Sequence, residues 1–169
     1  MTFFKKWFVA AIFFLGVQIL SLAYASGQLI LPSNSSMSKQ APDHALKTLS
    51  GQTMTLTQFR QGQKAVIFFW ATWCPHCREQ FPELMQEVPT MAKKGIKMIL
   101  VDVGEDASQV QQYAQKNQIT TEIFLDEDSS LSEQYGVLGV PTFFFVNQNG
   151  VIKGREHFLP TDYEKIVSQ

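Results

Sequence analysis

Cysteine is scarce in this chain: there are two in 169 residues, Cys74 and Cys77, three positions apart. That scarcity excludes a disulfide-stapled scaffold, and a 45% hydrophobic share supplies a core able to do without one. Metal ligands are few as well. His44, His76 and His157 are the only histidines, and only His76 lies near the cysteines. A structural zinc site needs about four ligands, and a covalently attached haem needs histidine directly after the second cysteine, where Arg78 stands. An excess of charge of one sign is also missing. A formal net charge of −1 provides no basic surface to displace phosphate counterions, so nucleic acid is excluded as a partner. No repeat recurs at solenoid or propeller spacing.

What the chain does have begins with a long apolar run. Lys5 and Lys6 precede Trp7 to Ala25, a stretch interrupted only by Gln18, Ser21 and Tyr24 and closing on the small-x-small pattern Ala23-Tyr24-Ala25. A positive start, an apolar middle and a small-residue end read as a secretory signal peptide over residues 1–25. The run also reaches the minimum for a spanning helix, so an uncleaved signal-anchor tethering the chain through residues 7–25 stands beside it. With the lysines on the cytoplasmic side, both versions export the rest of the chain to a periplasmic or other extracytoplasmic site. Residues 26–40, rich in Ser and Asn and without apolar periodicity, read as a flexible tether. Residues 41–169 then form one domain.

Within that domain, Thr53 to Leu56 alternates weakly as a short strand. Ala65 to Trp70 (AVIFFW) is continuous, β-branched and aromatic, the mark of a strand buried on both faces. Arg78 to Lys94 has helical spacing, ends at Gly95, and carries Pro82 and Pro89, which predict a kink or a break. Ile96 to Val103 is a second buried strand. Ala107 to Asn117 is a helix, Ile123 to Leu125 a strand, and Ser130 to Tyr135 one or two helical turns. Thr142 to Val146 and Val151 to Arg155 form a hairpin around Asn147-Gln148-Asn149-Gly150, and Thr161-Asp162-Tyr163-Glu164 reads as a capping box opening a last helix. The order predicts an α/β fold with a mixed central sheet flanked by helices, its first two buried strands parallel.

The cysteines fall where the first buried strand gives way to a helix. Pro75 suits the first helical turn, where its missing N–H has no helical partner. Cys74 then sits at the helix N-terminus, whose free N–H groups and positive dipole end stabilise a thiolate and lower a free-cysteine pKa of about 8.5. His76 adds a positive charge or a hydrogen bond. Cys77, about one turn further in, is more buried. The expectation is an exposed nucleophile, Cys74, with Cys77 as resolving thiol, the two alternating between dithiol and disulfide. A structural disulfide over so short a loop would remove little chain entropy. A copper(I)-binding thiol module stays open as the rival, since thiolates select soft copper.

Phe69-Trp70-Ala71-Thr72-Trp73-Cys74-Pro75-His76-Cys77-Arg78 resembles the active-site segment of thioredoxin-fold proteins. Ala41-Pro42-Asp43, Leu49-Ser50-Gly51-Gln52-Thr53 and Tyr135-Gly136-Val137-Leu138-Gly139-Val140-Pro141-Thr142 add a similarity to the exported TlpA/ResA-like branch, from about Ala41 to the C-terminus. The resemblance implies a thiol–disulfide oxidoreductase with Cys74 and Cys77 catalytic. Trp73, Pro75, His76 and Glu79 would tune the pair, and Pro141, as a cis-proline, would shape with Val140 a groove for an extended substrate segment. It implies protein thiols and disulfides as substrates, a membrane electron donor, a role in the maturation of apocytochrome c, and no cofactor or metal. Two departures stand out. Thioredoxins carry an acid at the position of Phe68, and ResA-like reductants carry one at the position of Gln80; Glu79, one place earlier, turns about 100° away. Pro75-His76 also matches the oxidant DsbA, whereas the chain lacks room for the helical insertion of that fold. The balance favours a reductant or isomerase over a DsbA-like oxidant.

Overall fold

The computed structural model describes residues 39–169. The expected signal or anchor over residues 1–25, and all but the last two residues of the expected tether, lie outside the described residues. Those last two belong to the fold. Gln40 bridges Val151, and the Lys39 carbonyl accepts from the Ile152 amide at 2.9 Å.

The described elements run β1 (Leu46–Thr48), β2 (Thr53–Met54), α1 (Leu56–Arg60), β3 (Lys64–Trp70), α2 (Pro75–Lys93), β4 (Ile96–Val103), α3 (Ala107–Lys116), β5 (Ile123–Asp126), α4 (Ser130–Tyr135), β6 (Thr142–Val146), β7 (Ile152–Glu156) and α5 (Tyr163–Val167). The strands make one mixed sheet in the order β2-β1-β5-β4-β3-β6-β7. β3 pairs in parallel with β4 and antiparallel with β6, so it is hydrogen-bonded along both edges. Its side chains alternate between two apolar layers. Val66, Phe68 and Trp70 pack with Phe81, Leu84 and Met91 of α2, Val110 of α3 and Val167 of α5. Ala65, Ile67 and Phe69 pack with Leu56 of α1 and with Leu131 and Tyr135 of α4. A strand covered on both faces has no polar side, which is why its sequence is an unbroken apolar run. This is the expected thioredoxin-like fold.

Three expectations need correction. Of the kink or break expected at Pro82 and Pro89, the break is absent: α2 is continuous through both. Each proline costs about 3 kcal/mol in a helix interior. Burying Cys77, Phe81, Leu84 and Met91 against the sheet, at roughly 1.5–3 kcal/mol for each large apolar side chain, offsets that cost. The capping box at Thr161 does not form: α5 starts after Asp162 with no side-chain cap, and Glu164 instead pairs with Lys94 at the end of α2. Finally, Leu56 starts α1 rather than ending a strand. Thr55 and Gln58 cap it reciprocally, the Gln58 amide donating to Thr55 Oγ1 at 3.1 Å and the Thr55 amide to Gln58 Oε1 at 2.9 Å.

Phe68, standing where thioredoxins carry an acid, is wholly buried. It stacks on Phe143 with ring centroids 4.3 Å apart and meets Phe81 edge-on at 5.6 Å. Phe68→Ala should cost about 3–5 kcal/mol of stability. Denaturant unfolding would show it as a lower midpoint at unchanged slope.

Candidate active site

β3 ends at Trp70, and the chain turns at once: the Cys74 amide donates to the Ala71 carbonyl at 3.2 Å. Cys74 is the N-cap of α2, in extended conformation, and Pro75 is the first helical residue. The Cys77 amide points back at Cys74 Sγ, 3.1 Å away. A helix N-terminus offers unpaired N–H groups, and here the atom that receives one is sulfur. Cys74 and Cys77 form a disulfide, their Cα atoms 5.3 Å apart. Cys77 is wholly buried. Cys74 is only 3% exposed, far less open than expected, because its side chain packs into the apolar layer under α2.

Across from the disulfide lies the loop between α4 and β6. The Val140–Pro141 peptide bond is cis, and Cys74 Sγ is 3.5 Å from the Val140 carbonyl oxygen, a bond that a Cys74 thiol would donate. The pairing of Phe69 with Thr142 fixes this approach, because it sets Pro141 beside the turn that comes after Trp70. Among the described residues, neither backbone group of Val140 is engaged by another backbone group. An open cleft of about 500 Å³ runs alongside, lined by His76, Glu79, Gln80, Val140, Pro141 and His157. Three large apolar side chains stand in solvent on the segments bordering it: Trp73, Leu138 and Phe158.

The residues expected to tune the pair fall into two groups. Pro75 and Trp73 flank Cys74 directly. His76 and Glu79 face each other on the solvent side of α2, with Nδ1 and Oε2 3.2 Å apart and side chains 77% and 71% exposed. Glu79 therefore does not reach the buried Cys77 as a substitute proton acceptor. Gln80 turns the other way. Its Nε2 donates at 3.1 Å to the His157 carbonyl, and His157 Nδ1 in turn lies 2.7 Å from the Pro141 carbonyl oxygen, donating to it. The position where ResA-like reductants hold an acid here ties α2 to the loop behind the cis-proline.

Sequence reasoning passed over a second group beneath the turn. Glu105 takes two bonds from Thr72, from the amide at 2.5 Å and from the hydroxyl at 2.6 Å. Against Glu105 lies Asp102 of β4, wholly buried, its carboxyl pushed up to about 9 by burial first and then by Glu105 and Asp126. Asp126 accepts the amides of Leu131 and Ser132 at 3.0 and 2.7 Å, fixing the start of α4. The available signal was an acid within the apolar run from Met98 to Val103. His157 gave no signal beyond being one of three histidines.

A disulfide capping the first turn of a helix, set at the carboxyl end of a central strand and facing a cis-proline, defines a thioredoxin-fold protein with a two-cysteine site. The chain belongs to the AhpC/TSA family, whose model matches residues 37–155. It is 34% identical over 113 residues to the thiol-disulfide oxidoreductase ResA of Geobacillus thermodenitrificans, a match covering 67% of this chain and 64% of that protein. It is 32% identical over 117 residues to the thioredoxin-like protein YneN of Bacillus subtilis, covering 68% of each. Among solved structures, a thiol:disulfide interchange protein of the thioredoxin family from Chlorobium tepidum superposes with a TM-score of 0.64 at 26% identity, over 77% of this chain and 94% of that one. The similarity to the TlpA/ResA-like branch thus holds.

The facing pair on α2 gives opposed expectations. His76→Pro removes the hydrogen-bond partner of Glu79 near the helix start, disfavours the Cys74 thiolate and makes the pair more reducing. Glu79→Gln does the reverse. Exposure screens both effects, so shifts of about 10–30 mV are expected, with about 30 mV equal to a tenfold change in the exchange constant. Equilibration with glutathione redox buffers measures them.

Proposed function

We propose that this chain is an exported thiol–disulfide oxidoreductase that reduces or isomerises disulfides in proteins. The observation that carries the reading is the seat of Cys74. Its sulfur caps α2, receives the Cys77 amide and lies 3.5 Å from the carbonyl oxygen of Val140, whose own backbone groups pair with no other backbone group among the described residues. The helix terminus stabilises the Cys74 thiolate in the dithiol form. That thiolate attacks one sulfur of a substrate disulfide. An S–S bond forms between Cys74 and the substrate, and the second substrate sulfur leaves as a thiolate. Cys77 then loses its proton and attacks Cys74. The Cys74–Cys77 disulfide forms, and the first substrate sulfur is released as a thiol or thiolate. Substrate has gained two electrons, which an electron donor must return to the cysteine pair.

Several features favour a protein as substrate. The Val140 amide, which has no backbone partner among the described residues, suits an extended segment laid alongside, in the manner of strand addition. Trp73, Leu138 and Phe158 offer apolar contacts around it. The named relatives support the chemistry: the Geobacillus protein is a thiol-disulfide oxidoreductase and the Chlorobium protein a thiol:disulfide interchange protein. A membrane electron donor, apocytochrome c as a client, and an extracytoplasmic location rest on the family resemblance together with the reading of residues 1–25 as a signal or anchor. Direction rests on the same resemblance. Pro75-His76 favours an oxidant as the second reading, because a stabilised thiolate makes the disulfide form more oxidising.

Cys74→Ser should abolish reduction of a protein disulfide, and Cys77→Ser should accumulate mixed disulfides through Cys74. Mass spectrometry of acid-trapped reactions distinguishes the two. A wild-type protein that turns over no disulfide, yet loses copper(I) binding on either substitution, would overturn the oxidoreductase reading in favour of the copper module. The reduction potential decides between reductant and oxidant.

A further inference from the structure

Asp102 lies in register with Trp70, the residue at which β3 ends and the active-site turn begins. The register neighbours Val66 and Met98, and Phe68 and Leu100, all belong to the apolar layer under α2. Side chains alternate along a strand, so Asp102 faces that layer too, on the same side of the sheet as the cysteines. Three of the four buried side-chain polar atoms without a hydrogen-bond partner among the described residues are Trp70 Nε1 and the two carboxyl oxygens of Asp102. An ionised carboxylate in that place would be a buried charge with no opposite charge beside it. Yet its neighbour is another carboxyl, that of Glu105. Two carboxylates cannot bond to each other, because neither has a proton to give. One proton between them resolves both problems.

We propose that Asp102 and Glu105 share a single proton as a carboxylic acid–carboxylate pair, and that this pair positions the active-site turn through Thr72. Asp102 carries the proton and donates it toward Glu105. The one negative charge then rests on Glu105, which spends its remaining acceptor capacity on the Thr72 amide and hydroxyl at 2.5 and 2.6 Å. Thr72 is two residues from Cys74, inside the turn closed by the bond from the Cys74 amide to Ala71. Both the pair and its neighbour act to hold the proton. Burial, the Glu105 carboxyl and Asp126 disfavour an ionised Asp102 and outweigh the Glu105 backbone amide, which favours it, so the Asp102 carboxyl is pushed up to about 9. From the helices covering this end of the sheet, Tyr113 of α3 packs on Trp70, and the charge of Arg78 on α2 acts on Tyr113. Loss of the proton would place two negative charges side by side in the interior, and the grip of Glu105 on Thr72 would loosen.

An acid raised from about 4 in the unfolded chain to about 9 in the folded one binds more protons when folded, so stability falls as pH rises through that window. The slope approaches a tenfold change in the unfolding constant per pH unit. Asp102→Asn keeps the shape and removes the titration.

Infrared difference spectroscopy of wild type against Asp102→Asn at neutral pH should show the carbonyl band of one protonated carboxylic acid. Denaturant unfolding between pH 5 and 8 should show wild type losing up to tenfold per pH unit relative to the variant. In the dithiol protein, the pH profile of Cys74 alkylation should carry an inflection near pH 9 that Asp102→Asn lacks and Thr72→Val weakens. Absence of the acid band in wild type would overturn the proposal, and that measurement stands even if the variant fails to fold when the wild-type band is followed by pH titration. An acid band with identical alkylation profiles in all three proteins would overturn the positioning role. The alkylation arm uses Cys74 as a reactive thiol and so rests on the proposed function; the infrared and stability arms do not, and failure of that function would show instead in the turnover of wild type.

Discussion

One constraint governs the molecule: β3 is hydrogen-bonded along both edges and covered on both faces, so nothing about its position is free. Its end at Trp70 is therefore a fixed point, and whatever the next few residues do is done from there. The parallel pairing with β4 brings Asp102 level with that point, and the antiparallel pairing with β6 brings Thr142 level with Phe69 and so Pro141 alongside the turn. A one-residue slip on either edge would exchange the two apolar layers, placing Phe68 where Phe69 belongs. The register that sets Phe68 and Phe69 against Phe143, Phe144 and Phe145 thus also holds the disulfide against the cis-proline loop.

Much of this was legible in the sequence, for a physical reason. Elements buried on both faces leave a long, mostly apolar signature, so the regions of β3, β4 and β6 were legible within a residue of their ends. The cysteine spacing, the proline between and the strand before them placed the site on the first turn of a helix. What escaped was whatever depends on partners distant in the chain. β1, only Leu46–Thr48, takes its edges from β2 and β5 and has too few residues for a pattern. α1 did carry a local signal in Thr55 and Gln58, overlooked beside the weak alternation of Thr53 to Leu56. The local cost of the two prolines in α2 points to a break, whereas burial against the sheet keeps the helix continuous. Thr161 and Glu164 show the reverse error: the local pattern was present, and a lysine from α2 claimed its glutamate.

The same distinction separates what was foreseen at the site from what was missed. Cys74, Cys77, Val140 and Pro141 come from motifs with strong local form, and they meet. His157 comes from one stretch of chain and Asp102 and Glu105 from another, and no common motif joins them. They matter because a thiol site is surrounded as much by acceptors and donors as by thiols. Phe68, where thioredoxins carry an acid, belongs to an aromatic stack that leaves no place for charge, and the interior carboxyls stand one strand over. Gln80, neutral at a position of expected charge, is spent on holding the loop that carries His157.

Lys39 and Gln40 join the sheet at the turn between β6 and β7, beside Gly150, where the Ala41 amide donates to the Gly150 carbonyl at 2.9 Å. Thr142, at the other end of β6, borders the cysteines. The chain therefore enters its domain about one strand length from the disulfide, roughly 17 Å for five residues at 3.3–3.4 Å each. The entry point and the reactive pole are opposite poles of one rigid rod. The pairing of Lys39 and Gln40 with β7 therefore leaves the sulfur-bearing end uncrowded.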